Sequence, residues 1–197
     1  MGKLLIATTN PAKISEYREL IGDRAEILTP KDLGITEQPV EDGEMFAENS
    51  LLKANFYWQR AKMPTLADDG GLEVDALGGQ PGVHSHRIDG VERSDEDLIS
   101  AVLERVRKVP SNKRTARIHV VLTLRIDAIR NFQAEAALEG LVRASNIKSE
   151  PGFPYRQILW IPKRKKFFAE LSRQERQAIS SRREAFEKLL PYIQQYV

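Results

Sequence analysis

Apolar positions along this chain follow two rhythms, short runs that suit strands and three-to-four-residue spacings that suit helices. Residues 3–8 form an apolar run and read as a buried strand. Asn10 and Pro11 then supply an N-cap and a first helical position, and Ile14, Tyr17, Leu20 and Ile21 recur behind them at helical spacing. A second strand is expected at 25–28, and 29–42 is loop punctuated by proline and glycine. Residues 43–62 read as a long helix with Met45, Leu52 and Phe56 on one face. Asn49 and Lys53, four apart, lie close to that face. A brief strand at 65–67 is expected to end in Asp68-Asp69-Gly70-Gly71, with extended chain at 72–77 and loop at 78–90. Residues 95–106 carry Leu98, Val102 and Val106 on one helical stripe. The clearest strand is 116–126, with an antiparallel neighbour expected at 134–143 and a further strand at 155–161. Residues 173–196 read as one long charged amphipathic helix, with Pro191 near its end. Strands and helices in this order predict an α/β protein whose mixed sheet is flanked by helices.

Composition narrows the classes. Of 197 residues, 41% are hydrophobic and 29% charged, ordinary values for a globular protein that argue against disorder. No apolar run approaches the roughly 20 residues that span a bilayer. The opening apolar stretch is too short for a secretory signal, and a cytoplasmic location is expected. The absence of cysteine excludes disulfides, thiolate metal sites and cysteine nucleophiles. A net charge of +2 demands no nucleic-acid partner. The three histidines, His84, His86 and His119, lack the spacing of a zinc site on a helix. A metal here is therefore expected to be a hard cation on carboxylates.

Four segments carry candidate chemistry. In Thr8-Thr9-Asn10-Pro11-Ala12-Lys13 a strand gives way at once to a helix, whose first N–H groups and dipole favour an anion. Lys13 in the first turn opposes the dipole unless an anion sits there; a capped helix with an exposed lysine is the alternative. The adjacent acids of Asp68-Asp69-Gly70-Gly71 suit a divalent cation bridging to phosphate, while a solvated Asp-Gly turn explains the same residues. Acids at 41–44 are ordinary partners of a helix start. Asn49 and Lys53 beside an apolar stripe are less easily explained, because an inward lysine needs a partner such as a phosphate unless it snorkels to solvent. Lys163-Arg164-Lys165-Lys166 reads as a solvated turn or strand edge.

Together these segments resemble the inosine triphosphate pyrophosphatase family. The resemblance runs through IATTNPAKISEYRELI (6–21), EDGEMFAENSLLKA (41–54) and PTLADDGGLEVDALGGQPGVHSHR (64–87). It resumes at RTARIHVVLTL (114–124), EGLV (139–142), PGFPY (151–155) and FAELSRQERQAISSR (168–182). It implies a single domain of two lobes: an elongated central mixed sheet flanked by helices, with a cleft between the lobes. It also implies a homodimer and a Mg²⁺-dependent enzyme. Such an enzyme splits the α–β phosphoanhydride of inosine and xanthosine triphosphates into a nucleoside monophosphate and pyrophosphate. By the resemblance, Thr8, Thr9, Asn10 and Lys13 hold phosphates, and Asn49 and Lys53 line the triphosphate path. Glu41, Asp68 and Asp69 bind metal, with Asp69 as metal ligand or general base. Gly70, Arg87, Phe153, Tyr155, Arg176 and Arg182 join the substrate site.

The departures from the family pattern cluster. Gly70 stands where the family has serine, Arg156 where it has an acid after the tyrosine, and Ser180-Ser181-Arg182 where it has Ser-His-Arg. Residues 145–151 replace a glycine-rich approach to Phe153. The phosphate half therefore matches while the base-reading half is rewritten, which predicts altered or relaxed base selectivity. A non-catalytic nucleotide binder on the same scaffold is the alternative. A nucleic-acid binder using Lys163 to Lys166 is disfavoured by the interleaved acids Glu170, Glu175, Glu184 and Glu187.

Overall fold

A computed structural model of the chain describes residues 2–88, 91–148 and 151–197. Met1, residues 89 and 90 of the expected 78–90 loop, and residues 149 and 150 of the 145–151 segment lie outside it. In order, the chain forms β1 (Gly2–Ile6), α1 (Pro11–Ile21), β2 (Ala25–Leu28), α2 (Phe46–Ala61), β3 (Thr65–Val74), β4 (Arg87–Ile88) and β5 (Val91–Glu92). There follow α3 (Asp95–Arg105), β6 (Thr115–Arg125), β7 (Asn131–Val142), β8 (Leu159–Ile161), β9 (Lys166–Phe167), α4 (Arg173–Gln177) and α5 (Ser181–Tyr196). Seven strands make one sheet in the order β2-β1-β3-β6-β7-β8-β9, while β4 and β5 pair separately. β1 runs parallel to both β2 and β3, whereas β8 is antiparallel to β7 and β9, so the sheet is mixed. With neighbours on both sides, β1 buries Leu4, Leu5 and Ile6 in succession, the continuous apolar run expected of a parallel strand.

Two compact units divide the chain. The first comprises residues 1–69, 120–136 and 182–197; the second comprises 70–119 and 137–181. In the first, Leu5, Ala7 and Ala67 pack with Ala54 and Tyr57 of α2. In the second, Leu72 and Val74 pack with Leu98, Val102, Tyr155, Leu159, Phe168 and Leu171.

Four expectations from the pattern are corrected. β3 does not stop before Asp68; it runs unbroken through Asp68-Asp69-Gly70-Gly71 to Val74. The acids are tolerated inside a strand because cations meet them there, and Gly71 is required by a close approach. A Cβ at Gly71 would lie 2.0 Å from Ser85 Oγ, the hydroxyl that accepts from Leu72 N at 2.9 Å and donates to Gly82 O at 2.6 Å. α2 starts at Phe46 rather than 43, because the Glu48 carboxylate turns back to accept from Glu44 N and Met45 N. Residues 155–161 are not all strand: Pro154–Gln157 is a 3₁₀ turn pinned by Tyr155, whose hydroxyl donates to Ser85 O at 2.6 Å. The expected helix 173–196 is two helices. α4 opens on its own Ser172–Glu175 capping box and ends at Gln177, and α5 begins afresh at Ser181.

Candidate active site

Asn10 caps α1 as its position predicts: Oδ1 accepts from Ala12 N at 2.9 Å and from Lys13 N at 3.3 Å. Thr8 Oγ1 accepts from Asn10 N at 3.2 Å, and Thr9 is exposed. The anion that Lys13 requires is supplied by the protein itself. Lys13 Nζ lies 2.6 Å from Asp68 Oδ1. Four residues on, and so on the same face of α1, the Tyr17 hydroxyl donates to Asp68 Oδ2 at 2.7 Å. Arg182, in the first turn of α5, donates from Nε to the same oxygen at 2.6 Å and from Nη1 to Glu16. Two cations thus meet two carboxylates, with one neutral hydroxyl, in a buried cluster. Burial alone would discourage ionisation of Asp68, whose side chain is 2% exposed. Arg182 and Lys13 overcome it and hold the carboxyl far below the usual range. Burial lowers the Lys13 ammonium pKa despite Asp68, with Arg182 and Lys53 adding to the effect. Burial also raises the Tyr17 hydroxyl, helped by Asp68, so it remains a donor.

Successive residues on a strand face opposite ways, and Asp69 meets a different set of groups. Lys53, on α2, reaches Asp69 Oδ1 at 2.8 Å, Glu41 Oε2 at 2.7 Å and the Asp68 carbonyl at 3.1 Å. Glu41 is held in reach by its neighbours. Asn49 Oδ1 accepts from Gly43 N at 2.9 Å, and Asn49 Nδ2 donates to Gly43 O at 3.4 Å. A Cβ at Gly43 would lie 2.7 Å from Asn49 Oδ1, so only glycine allows this clamp. Here two carboxylates share one cation, leaving an excess of one negative charge. Burial raises the Asp69 pKa, and Lys53 offsets this only in part. The Lys53 ammonium pKa is itself raised, because Asp69 and Glu41 outweigh its burial.

This donor set fits a hard divalent cation: two carboxylates converge on one positive atom, with a negative charge to spare. It is no cage, since among the described residues no three His, Cys, Asp or Glu side chains gather as a metal site. Such an arrangement suits Mg²⁺, which takes one or two carboxylates and keeps further positions for water and phosphate.

Thr8, Asn10, Lys13, Glu41, Asn49, Lys53, Asp68, Asp69 and Arg182 all belong to the first unit. Gly70, Arg87, Phe153, Tyr155 and Arg176 belong to the second. There Arg87 and the buried Tyr155 line a cavity of about 240 Å³ with Leu98, Val102 and Arg105. The Arg156 guanidinium lies 3.6 Å over the Phe153 ring and is buried. Arg176 Nη1 donates to Leu171 O at 3.1 Å. Glu16 and Tyr17 are site residues that sequence reasoning missed. Lys13 to Tyr17 spacing was the available signal, but a tyrosine on an apolar stripe reads as core.

The chain as a whole has relatives among known proteins. The family model described as the Ham1 family matches residues 4–192. The dITP/XTP pyrophosphatase of Geobacillus kaustophilus is 39% identical over 190 residues, covering 96% of this chain and 93% of the relative. That of Escherichia coli is 36% identical over 198 residues, covering 96% and 97%. The HAM1 protein of Coxiella burnetii superposes with a TM-score of 0.86 at 30% identity, covering 99% of this chain and all of that one.

Proposed function

This chain belongs to the Ham1 family, and on that premise we propose that it hydrolyses nucleoside triphosphates between the α and β phosphates. The products are a nucleoside monophosphate and pyrophosphate. The observation that carries the reading is the juxtaposition of Asp69, Glu41 and Lys53 with the Lys13–Asp68 pair on one strand doublet. Water attacks the α-phosphorus and the bond to the bridging oxygen breaks. Asp69 accepts the proton; the upward pull of burial on its pKa moves it toward the range useful to a general base. Lys13, which spends one of its three N–H donors on Asp68, directs the others at phosphate oxygens. Mg²⁺ held by Glu41 and Asp69 would supply the charge neutralisation that a polyanion needs before an oxygen nucleophile approaches.

The substrates we propose are deaminated purine nucleotides such as dITP, ITP and XTP, in keeping with the names of the relatives. Relaxed base selectivity is part of the proposal. It is supported by Gly70 and Ser181, and by an Arg156 side chain that covers one face of Phe153. Assembly as a homodimer in the cytoplasm is proposed from the family resemblance. The test is pyrophosphate release from a panel of standard and deaminated triphosphates with Mg²⁺, with Asp69→Asn as control. Turnover that the variant lacks is expected. Binding without turnover would make the protein a nucleotide sensor, and a sharp preference for inosine and xanthosine would refute relaxed selectivity.

A further inference from the structure

An ammonium group carries three N–H donors. Lys53 Nζ donates to Asp69 Oδ1 at 2.8 Å and to the Asp68 carbonyl at 3.1 Å, and Glu41 Oε2 pairs with it at 2.7 Å, so three oxygens of the protein surround the ammonium. Among the described residues, Lys13 engages a single donor, at Asp68. The two lysines are therefore not equivalent. Lys13 can receive an anion without giving anything up, whereas Lys53 must first release a carboxylate.

We infer that Lys53 is a positioning residue that serves as a built-in counter-cation for Glu41 and Asp69. It keeps their affinity for a bare divalent ion low, so that metal is loaded together with the triphosphate. The charge balance carries the argument. Glu41, Asp69 and Lys53 sum to one negative charge, so a bare divalent ion would leave this partly buried group positive and bring a second cation close to the ammonium. A metal–triphosphate complex is net negative and meets no such opposition. Its phosphate oxygens also offer the ammonium a replacement partner for whichever carboxylate it releases. Asn49 clamps Gly43, two residues from Glu41, independently of Lys53, so the segment that carries Glu41 keeps this tether when the lysine is removed.

This inference rests on the proposed function for the site and adds the order of loading. Its test uses Mn²⁺ alone, without nucleotide, followed by the paramagnetic resonance of the unbound ion. Lys53→Met should bind Mn²⁺ about tenfold more tightly than the wild type, and adding Glu41→Gln should abolish the gain. Equal or weaker binding by Lys53→Met overturns the inference, as does wild-type affinity already matching that of the variant. If Lys53→Met does not fold in metal-free buffer, circular dichroism replaces resonance. Folding restored by Mn²⁺ supports the inference, and no restoration overturns it. A gain in Mn²⁺ affinity in Lys53→Met, with no binding of Mn²⁺–dITP by the wild type, supports the inference and sinks the proposed substrate class alone.

Discussion

Arg182 and Arg183 are neighbours in the first turn of α5, carry the same charge, and face opposite surroundings. Arg182 is 9% exposed and pairs with an Asp68 side chain that is 2% exposed. Arg183 is 44% exposed and pairs at 2.7 Å with a Glu187 that is 55% exposed. Replacing either with methionine removes one charge while keeping most of the stem's packing. Both positions feel the same helix dipole, so that contribution cancels in the comparison. Breaking a buried pair by removing one partner costs about 3–5 kcal/mol. Lys13 and Tyr17 still hold Asp68, and Glu16, 28% exposed, can turn to water. The expected loss for Arg182→Met is therefore at the lower end, about 3 kcal/mol. In a chain of this length that lowers Tm by about 6–12 °C. The Arg183 pair is an exposed i,i+4 contact worth about 0.3–0.5 kcal/mol, so Arg183→Met should shift Tm by less than about 2 °C. Thermal unfolding of both variants, with urea titrations checked for a constant slope, makes the comparison. Equal shifts, or a more stable Arg182→Met, would refute the view that the Asp68 cluster is a cohesive buried network.

Gly71→Ala would drive a methyl to within 2.0 Å of Ser85 Oγ; it should cost about 2–3 kcal/mol, and a Ser85→Gly background should recover part of that in chemical denaturation. Asn49→Ala removes both contacts to Gly43 from a buried position. It should lower stability by about 1–2 kcal/mol and raise the KM for a metal–triphosphate more than it lowers kcat; an unchanged KM would exclude a role in placing Glu41. Glu175 is held at about 2, first by the Ser172 backbone N–H and then by Lys166. A depressed carboxyl stabilises the fold above its unfolded pKa of about 4.3 and stops doing so as pH falls toward 2; a side-chain titration by NMR with a midpoint above 4 would contradict the capping box.

Local signals were legible where local physics decides. The Asn10-Pro11 start of α1 needs only a cap and a fixed φ, and both act within three residues. Lys53 as an inward lysine short of a partner was equally readable, because spacing alone put it beside the apolar stripe. The identity of its partners was not, since Asp69 lies 16 residues away across α2 and β3. Taken by itself, Asp68-Asp69-Gly70-Gly71 reads as a strand end because Asp and Gly are turn formers in isolation. Burial among Lys13, Arg182 and Lys53, together with the Gly71–Ser85 approach, overrides that preference. The split of 173–196 was hidden for a related reason: helical periodicity continues across residues 178–180, while Arg182 at the start of α5 turns to Asp68, more than a hundred residues away in sequence.

The doublet also yields a test in which two adjacent, chemically identical substitutions should affect stability very differently. Asp68 sits among compensated charges and is held ionised by Arg182 and Lys13 against its burial. Asp68→Asn would leave those cations buried without their shared counter-charge, at a cost of about 3–5 kcal/mol. Asp69 sits where negative charge is in excess, and burial raises its pKa. The sign follows from linkage. A carboxyl with a raised folded pKa binds protons more tightly when folded, so stability is lost as pH climbs from the unfolded value through the folded one. Asp69→Asn removes that penalty and leaves an oxygen for Lys53. It should therefore be as stable as the wild type or more so at neutral pH, while losing turnover. Melting curves of the two variants at pH 7.5, beside pyrophosphate release, decide the matter. A strongly destabilised Asp69→Asn would mean that its carboxylate is held for structure, and would remove the excess charge on which the catalytic and metal assignments both depend.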